Sequence, residues 1–396
     1  MPQLAADLTQ ITHTPLEKIP SSGIRAFAQR IDDIPDLIKL TLGEPDLNTP
    51  EHVKQAAVQS ILANDSHYSD QRGTLQLRQA ISNYLQRKQN LTYDPKSEII
   101  VTVGATEALT AIALSLFQPG DQIIVPTPSY ALYFPLIQYT QAELVAINTA
   151  STDFVLTPQA LKNTLQEHPQ AKAILLNYPT NPTGREYSEK VLKQLVPIIR
   201  QSHLYVISDE IYSELTYDCP HVSIARYLPE RTLLVNGVSK SHAMTGYRIG
   251  YLAGPETLIN LIAKMHAFMI TAPSNPAQAA AAEALENGDQ DPVDSRHIYQ
   301  KRRDYIVQAL NEMGLQTMPG EGAFYVFAKI PAQYKNDDEA FALDLAHKAK
   351  VGGTPGKSFG PGGEGYIRFS YAASDANLRK AMSRIQKFLS AEVVVK

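Results

Sequence analysis

The fourteen residues GVSKSHAMTGYRIG, 237–250, combine two side chains that can act on a small charged molecule. Lys240 offers a primary amine, which can form a Schiff base with a carbonyl group. Arg248, eight residues later, offers a rigid fork of donors that fits two oxygens of a phosphate. The run TLLVNG before the lysine is typical of a short buried strand ending at glycine, so we expect Lys240 to project from a strand end into a cleft. The spacing alone leaves open that both charges are simply solvated.

A second stretch predicts a helix end that suits an anion. EIIVTV is a β-branched run that stops at Gly104, and ATEALTAIALSLF after it has the pattern of a helix. Ala105 and Thr106 fall in the first turn of that helix, where free backbone N–H groups and the positive end of the helix dipole favour a phosphate. Such junctions are common in α/β proteins, so the pattern by itself does not establish a phosphate site.

Three polar residues lie in or directly after other predicted strands. Strand 173–176 leads into NYPTNPTG, where two prolines make a rigid loop that presents Asn181. Strand 204–208 ends at Asp209, at the carboxyl end where α/β sheets bind ligands. An ordinary turn and a helix-capping aspartate are the plain structural alternatives for these two residues. In the alternating strand YIRFSY, Arg368 needs a partner, and a substrate carboxylate is a suitable one.

The composition favours small-molecule chemistry. The chain has 396 residues, 44% of them hydrophobic, which suits a large globular core. Its 36 basic and 40 acidic side chains give a net charge of −4, without the basic excess of a general nucleic-acid-binding protein. The single cysteine, Cys219, excludes an intrachain disulfide and suits the cytosol. The first residues lack a secretory pattern, and the longest apolar run falls far short of the roughly 20 residues that span a bilayer. We expect a cytoplasmic protein with no membrane, nucleic-acid or metal partner.

The lysine stretch resembles the lysine signature of the class I/II aminotransferases, the fold-type I enzymes that use pyridoxal phosphate. It meets every restricted position of that pattern. Further motifs resemble the family in the family's order over residues 43–368, which is most of the chain: LGEPD, the segment around Tyr68, the Gly104 junction, NPTG, SDEIY and YIRFS. Stretches such as SDEIYSELTYD are similar to the bacterial aromatic, aspartate and N-acetyl-diaminopimelate aminotransferases.

The resemblance implies a role for each matched residue. Lys240 and Asp209 are the implied catalytic pair: the lysine holds pyridoxal 5'-phosphate and moves a proton, and the aspartate keeps the ring nitrogen protonated. Gly43, Asn181 and Arg368 are implied to bind the substrate carboxylate. The implied cofactor contacts, besides Lys240 and Asp209, are Tyr68, Gly104, Ala105, Thr106, Tyr130, Asn181, Tyr212, Ser239 and Arg248. For Tyr133, three residues after Tyr130, an interpretation as a simple core aromatic stays open.

The resemblance also implies the fold and the assembly. It implies an α/β fold of type I, in which a large domain has a mostly parallel central sheet flanked by helices and a smaller domain is α+β. We assign residues 1–47 to an N-terminal arm and part of the small domain, 48–290 to the large cofactor-binding domain and 291–396 to the C-terminal small domain. Tyr68 matches a tyrosine that reaches the cofactor of the neighbouring subunit, so a homodimer with shared active sites is expected.

The implied activity is transfer of the amino group of an L-amino acid, preferably phenylalanine or tyrosine, to a 2-oxo acid, preferably 2-oxoglutarate, in a ping-pong cycle. No residue identifies the donor, so aspartate or N-acetyl-LL-diaminopimelate remains an alternative. Another is a pyridoxal-phosphate-dependent lyase on the same fold. The non-enzymatic alternatives are an aminotransferase-like regulator domain and a catalytically silent homologue.

Overall fold

The computed structural model describes residues 4–5, 15–20, 23–318 and 320–394. Most of the predicted N-terminal arm therefore lies outside the described residues. In chain order the strands are β1 (Ile38–Lys39), β2 (Ile99–Thr102), β3 (Gln122–Thr127), β4 (Glu143–Asn148), β5 (Ala173–Asn177), β6 (Tyr205–Asp209), β7 (Thr232–Gly237), β8 (Gly250–Ala253), β9 (Thr317–Met318), β10 (Tyr325–Lys329), β11 (Val351–Gly352), β12 (Thr354–Pro355) and β13 (Tyr366–Ser370).

The helices join and cover these strands. In chain order they are α1 (Gly23–Arg30), α2 (Glu51–Leu62), α3 (Leu75–Gln89), α4 (Gly104–Leu116), α5 (Tyr133–Tyr139), α6 (Pro158–Glu167), α7 (Glu189–Gln201), α8 (Val238–Ser241), α9 (Glu256–Ile270), α10 (Asn275–Asn287), α11 (Asp291–Glu312), α12 (Asp338–Asp344) and α13 (Asp375–Val394). A single π turn, Leu345–Ala349, extends α12 within the described part of the chain.

The central sheet has seven strands in the order β2-β8-β7-β6-β5-β3-β4. Strand β8 runs antiparallel to both of its neighbours, and all the other pairings are parallel. The carboxyl ends of six strands and the amino end of β8 consequently lie along one edge of the sheet. This topology confirms the predicted α/β class with a mostly parallel sheet, and that edge is where such sheets bind ligands.

Both faces of the central sheet are covered, which explains its continuous apolar runs. Every residue of β5 is buried. Ile174 and Leu176 pack with α6 and α7 on one face, whereas Ala173 and Leu175 pack with α4 and α9 on the other. The strand alternation thus places successive residues in two separate cores.

A second, antiparallel sheet has the order β12-β13-β10-β9. Its core includes Ile306 of α11, Phe341 of α12 and Leu378 of α13. Strand β1, near the start of the described chain, pairs in parallel with β11, where Ile38 faces Val351. Residues far apart in sequence therefore meet beside this sheet, and the predicted domain limits stay a prediction.

Two local expectations need correction, whereas the expected position of Asp209 at a strand end is confirmed. The run DLIKLTLGEPD predicts a strand from Ile38 to Leu42, but β1 ends at Lys39. Beyond its end, the carbonyl of Thr41 accepts a hydrogen bond from Arg368. Lys240 is not at a strand end but in the short helix α8, which begins one residue after β7. Asp209 is the last residue of β6, and a turn rather than a helix follows it.

Candidate active site

A cavity of about 580 Å³ lies at the carboxyl edge of the central sheet. Its size is within the range of small-molecule sites. The structure brings most of the predicted site residues to its wall: Gly43, Ala105, Thr106, Tyr130, Asn181, Asp209, Tyr212, Ser239, Lys240, Arg248 and Arg368. Gly104 lies behind this wall, and Tyr68 lies outside the cavity.

One side of the cavity, the α4 wall, is formed by Ala105, Thr106, Ser239 and Arg248. Gly104 has a left-handed φ of +72°, and a Cβ there would lie 2.4 Å from Nη2 of Arg248. Only glycine therefore lets this guanidinium lie against the start of α4. Arg248 is exposed, and its Nη1 donates to the carbonyl of Thr245 at 2.9 Å. The α4 wall thus combines a helix N-terminus, two hydroxyls and an open guanidinium, which are donors that suit a phosphate.

Lys240 is partly buried, and its Nζ donates to the carbonyl of Gly43. Burial lowers the pKa of its ammonium to about 8; Glu44 and Asp209 oppose this shift, and the two arginines Arg248 and Arg368 strengthen it. A substantial fraction of the amine is therefore neutral near pH 8. A neutral amine is the form that attacks a carbonyl and accepts a proton.

Asp209 is a buried carboxylate at the end of β6. The hydroxyl of Tyr133 donates to its Oδ2 at 2.7 Å, and the amide of Ile211 donates to its Oδ1 at 3.3 Å. Burial nonetheless raises the pKa of Asp209 to about 6, because these two hydrogen bonds only partly offset the cost of desolvating the charge. A protonated ring nitrogen placed against this carboxylate would supply the missing positive charge.

The other side of the cavity, the Arg368 wall, is formed by Gly43, Asn181, Tyr325 and Arg368. Arg368 is only 2% exposed. Its Nη1 donates to Oδ1 of Asn181 at 2.7 Å, its Nη2 donates to the carbonyl of Thr41 at 2.7 Å, and its guanidinium lies 4.3 Å from the ring centroid of Tyr325. Its Nε has no hydrogen-bond partner among the residues that the structure describes. A buried, incompletely bonded guanidinium beside a cavity fits the carboxylate of a bound molecule.

A hydrogen-bonded chain connects the loop of Asn181 to the end of β6. The side chain of Asn177 accepts from the Asn181 amide at 3.0 Å and donates to the carbonyl of Asp209 at 3.0 Å. Asn177 and Asp209 are also register partners in neighbouring strands. The loop that carries Asn181 is therefore fixed relative to the buried carboxylate.

Several lining residues were not predicted. Tyr133 is a core aromatic, as the open interpretation allowed, but its hydroxyl also bonds Asp209. Tyr325 bonds Tyr212, with 2.7 Å between their hydroxyl oxygens. Arg25 of α1 lines the cavity and makes no hydrogen bond or ion pair with any described residue. Asn177 also lines the cavity and was not predicted, although the sequence places it at the end of a predicted strand. The sequence contains no comparable indication for Tyr325 or Arg25.

Tyr68 is 88% exposed and does not line the cavity of its own chain. The segment that carries it is well held, since Asn275 donates to the carbonyl of His67 at 2.7 Å and Gln278 donates to the hydroxyl of Ser69 at 3.2 Å. An ordered segment thus presents a large aromatic side chain outwards.

Residues 35–385 match the family model of aminotransferase class I and II. The chain belongs to this family. It is 42% identical over 372 residues to the probable N-acetyl-LL-diaminopimelate aminotransferase of Bacillus subtilis (strain 168), covering 94% of each chain. It is 34% identical over 386 residues to aromatic-amino-acid aminotransferase 2 of Thermococcus litoralis, covering 96% of this chain and 98% of the relative. The structure of the Thermus thermophilus aspartate aminotransferase with maleate matches it with a TM-score of 0.90 at 34% identity, covering 98% and 100% of the two chains.

As a class I/II aminotransferase, the protein is a transaminase of a family that uses pyridoxal phosphate, and this confirms the predicted enzyme class. The donors of its cavity fit that cofactor: the α4 wall suits the phosphate, Asp209 suits the ring nitrogen and Lys240 suits the aldehyde carbon. In the described residues no three or more His, Cys, Asp or Glu side chains form a group that holds a metal ion. No helix among the described residues is long and apolar enough to cross a membrane.

Proposed function

We propose that this aminotransferase transfers the amino group of an aromatic L-amino acid, phenylalanine or tyrosine, to 2-oxoglutarate. The observation that most supports amino-group transfer is the position of Lys240, a partly buried amine with a lowered pKa in the same cavity as Asp209 and Arg368. A proton-transferring amine, a carboxylate for a cationic ring and a guanidinium for a substrate carboxylate are what amino-group transfer requires.

Pyridoxal phosphate is the cofactor of this proposal. When bound, it supplies an electrophilic carbon and an electron-withdrawing ring. The residues that would hold it are Ala105, Thr106, Ser239 and Arg248 at the phosphate, Asp209 at the ring nitrogen, Tyr130 on the ring face, Asn181 and Tyr212 at the phenolic oxygen, and Lys240 at the aldehyde carbon. Gly104 supports the arrangement from behind by leaving room for Arg248.

The protein's own groups divide the work of the reaction. The Nζ of Lys240 takes up and returns a proton near its pKa of about 8, and the carbonyl of Gly43 orients it. Arg368 holds the substrate carboxylate, which fixes the α-carbon relative to that amine. The burial of Arg368 and Asp209 keeps water from competing for both charges.

The substrate assignment depends on the outer part of the cavity. Arg25 is a guanidinium without a described partner, and it lies near Tyr130, so it suits the second carboxylate of 2-oxoglutarate. Ile24, Leu109 and Tyr130 give the same cavity an apolar and aromatic lining that suits an aromatic donor. Because Arg25 also suits an acidic donor, aspartate is the second candidate, and N-acetyl-LL-diaminopimelate is a third.

Single-turnover rates with phenylalanine, tyrosine, aspartate and N-acetyl-LL-diaminopimelate test the donor. The aromatic donors should react fastest, and a faster rate with either of the others would replace the aromatic assignment. Product formation should also require a 2-oxo acid. Steady product formation without one would indicate a lyase instead.

Lys240→Ala tests the mechanism itself. It should abolish turnover and the visible absorbance of the lysine-bound cofactor, because no other amine lines the cavity among the described residues. Lys193→Ala, which removes an exposed lysine paired with Glu189, is the matched control and should keep both properties. Full activity in Lys240→Ala would refute the proposed mechanism.

We also propose a homodimer in which each Tyr68 completes the site of the partner. Tyr68 is 88% exposed. Three other large apolar side chains are also well exposed: Ile61 and Leu62 of α2, at 61% and 68%, and Phe268 of α9, at 85%. The proposed dimer would cover such side chains, as protein interfaces do.

Mixing Lys240→Ala chains with Tyr68→Ala chains tests the shared site. In a heterodimer of Lys240→Ala and Tyr68→Ala chains, one site regains both native residues, so a random mixture should recover about a quarter of the wild-type activity. Light scattering should give twice the mass of one chain. No recovery after mixing, or a monomeric mass, would contradict the shared site and leave the chemistry of Lys240 untouched.

A further inference from the structure

A buried pair of side chains lies directly behind the α4 wall. Glu107 is in the first turn of α4, one residue after Thr106, and its Oε2 accepts a hydrogen bond from the amide of Val103 at 2.8 Å. Its Oε1 lies 2.9 Å from Nδ1 of His266, a residue of α9 that is fully buried. Nε2 of the same ring lies 2.6 Å from the carbonyl oxygen of Gln71.

The partners of the His266 ring fix the charge of this pair. The Gln71 carbonyl can only accept, so Nε2 carries a proton. Nδ1 then either donates to the Glu107 carboxylate as an imidazolium or accepts from Glu107 as a carboxylic acid. A neutral ring would otherwise turn a lone pair towards a carboxylate, which is repulsive. In both favourable states Glu107 and His266 share one proton and have no net charge.

That neutrality matters because of where Glu107 lies. A carboxylate in the first turn of a helix occupies the same positive field that attracts a phosphate to the helix N-terminus. An uncompensated charge on Glu107, buried and poorly screened, would repel a phosphate at the backbone amides of Ala105 and Thr106. The exposed Arg248 is well placed to bind phosphate from solvent but makes no bond with Glu107.

We propose that His266 is a positioning residue that cancels the charge of Glu107 and thereby sets the affinity of the α4 wall for the cofactor's phosphate. His266 does not line the cavity. It acts through Glu107, and its bond to Gln71 also fixes the start of α4 relative to the segment that carries Tyr68. The inference rests on the proposed placement of the phosphate at α4.

The test compares the affinity of cofactor-free protein for pyridoxal phosphate and for pyridoxal, which lacks the phosphate. His266→Gln should lower the affinity for pyridoxal phosphate about tenfold and the affinity for pyridoxal less than about twofold. Only the phosphate lies close to the uncompensated charge of Glu107. Glu107→Gln should stay within about threefold of wild type for both ligands, since its amide can donate to the lone pair of a neutral ring. The double variant should regain the phosphate affinity that His266→Gln loses.

The asymmetry between the two single variants separates a charge effect from a structural one. Equal losses for both ligands in His266→Gln, a tenfold loss in Glu107→Gln, or a double variant no better than His266→Gln would each overturn the proposal. If His266→Gln does not fold, Glu107→Gln and the double variant decide alone, and both must bind pyridoxal phosphate within about threefold of wild type.

Two controls complete the design. His52→Gln removes another histidine held between two carboxylates, Glu283 and Asp291, but outside the cavity, so it should leave the ratio of the two affinities unchanged. The wild-type protein must prefer pyridoxal phosphate to pyridoxal. Absence of that preference would refute the proposed phosphate site, which is a different outcome from a failure of the His266 variants.

Discussion

Arg248 in the α4 wall and Arg368 in the Arg368 wall are held in different ways. Arg248 is exposed and has a left-handed φ of 56°. Within the described part of the chain its side chain makes one hydrogen bond, to a carbonyl three residues away. Arg368 is buried, donates to two segments distant in sequence and lies against the ring of Tyr325. The first guanidinium is positioned by its own turn, and the second is positioned by the assembled protein.

The difference follows from the chain segments that form each wall. The α4 wall uses β2 and β8, which are neighbours in the sheet and pair Thr102 with Gly250. The Arg368 wall joins the second sheet to residue 41 and to the loop after β5. A movement of the second sheet relative to the central sheet would therefore change the Arg368 wall and leave the α4 wall intact.

The largest expected effect is in the Arg368 wall. Arg368→Lys loses the fork that binds a carboxylate with two parallel bonds, so kcat/KM should fall about a thousandfold, while the affinity for pyridoxal phosphate changes less than about threefold. Steady-state kinetics and cofactor titration measure the two quantities. Arg379→Lys, on the exposed side of α13, is the control. An equal loss of cofactor affinity would show that the two walls are not independent.

The second effect concerns Asp209, which makes no hydrogen bond with Arg248 or Arg368. Its pKa is raised from 3.8 to about 6, so the folded protein keeps this proton to a higher pH than the unfolded chain. Ionisation therefore costs stability as the pH rises from about 4 to 6. Asp209→Asn should stabilise the cofactor-free protein by about 3 kcal/mol at pH 8, with little gain near pH 4, while losing most of the catalytic rate.

Urea unfolding of the cofactor-free protein at several pH values measures this prediction. Asp218→Asn is a control of opposite sign. The hydrogen bond from Arg303 lowers the pKa of Asp218 below its usual 3.8, so its carboxylate stabilises the folded state above that pH. This variant should therefore lose stability at pH 8. If Asp209→Asn were less stable than the wild-type protein at pH 8, other groups of the protein would already compensate the negative charge of Asp209.

The third effect is in the α4 wall. Arg248→Gln should lower the affinity for pyridoxal phosphate about tenfold, since it removes one charge-assisted contact from an exposed site that also has backbone donors. With saturating cofactor, kcat/KM for the amino acid should stay within about threefold of wild type. A large loss of kcat/KM under those conditions would contradict the separation of the two walls.

The smallest effect concerns the acceptor. Arg25→Gln should raise KM for 2-oxoglutarate about fivefold and leave KM for phenylalanine unchanged, because an exposed guanidinium contributes roughly 1 kcal/mol to a carboxylate partner. Arg30→Gln, on the same helix but paired with Glu339, is the matched control. An equal rise for both substrates would assign Arg25 to general packing rather than to the second carboxylate.

Much of the α4 wall was visible in the sequence. The β-branched run before Gly104 and the helix after it predicted a strand and a helix that the structure confirms as β2 and α4. Asn181 and Asp209 also lie where strand ends predicted them, because consecutive parallel strands bring their carboxyl ends to one edge. The sequence did not show that Lys240 lies in a short helix, since four residues are too few to produce a helical pattern.

Much less of the Arg368 wall and its surroundings could be predicted from the sequence. Alternation in YIRFSY placed Arg368 within a strand, but nothing in the sequence indicated its bonds to Asn181 and Thr41 or its contact with Tyr325. The hydroxyl of Tyr133 on Asp209 is a similar case, because a buried tyrosine looks like any other core aromatic until its partner is known.

The sequence by itself determined several strands and helices around the site, because apolar periodicity and turn residues act over a few neighbouring positions. Its motifs also carried the family resemblance, which implied the fold class and singled out Lys240. The tertiary structure decided the lowered pKa of Lys240, the raised pKa of Asp209 and the setting of Arg368. These properties depend on burial and on charges contributed by segments up to hundreds of residues apart. Desolvation and long-range contacts exist only once the chain has folded, so no local pattern can specify them.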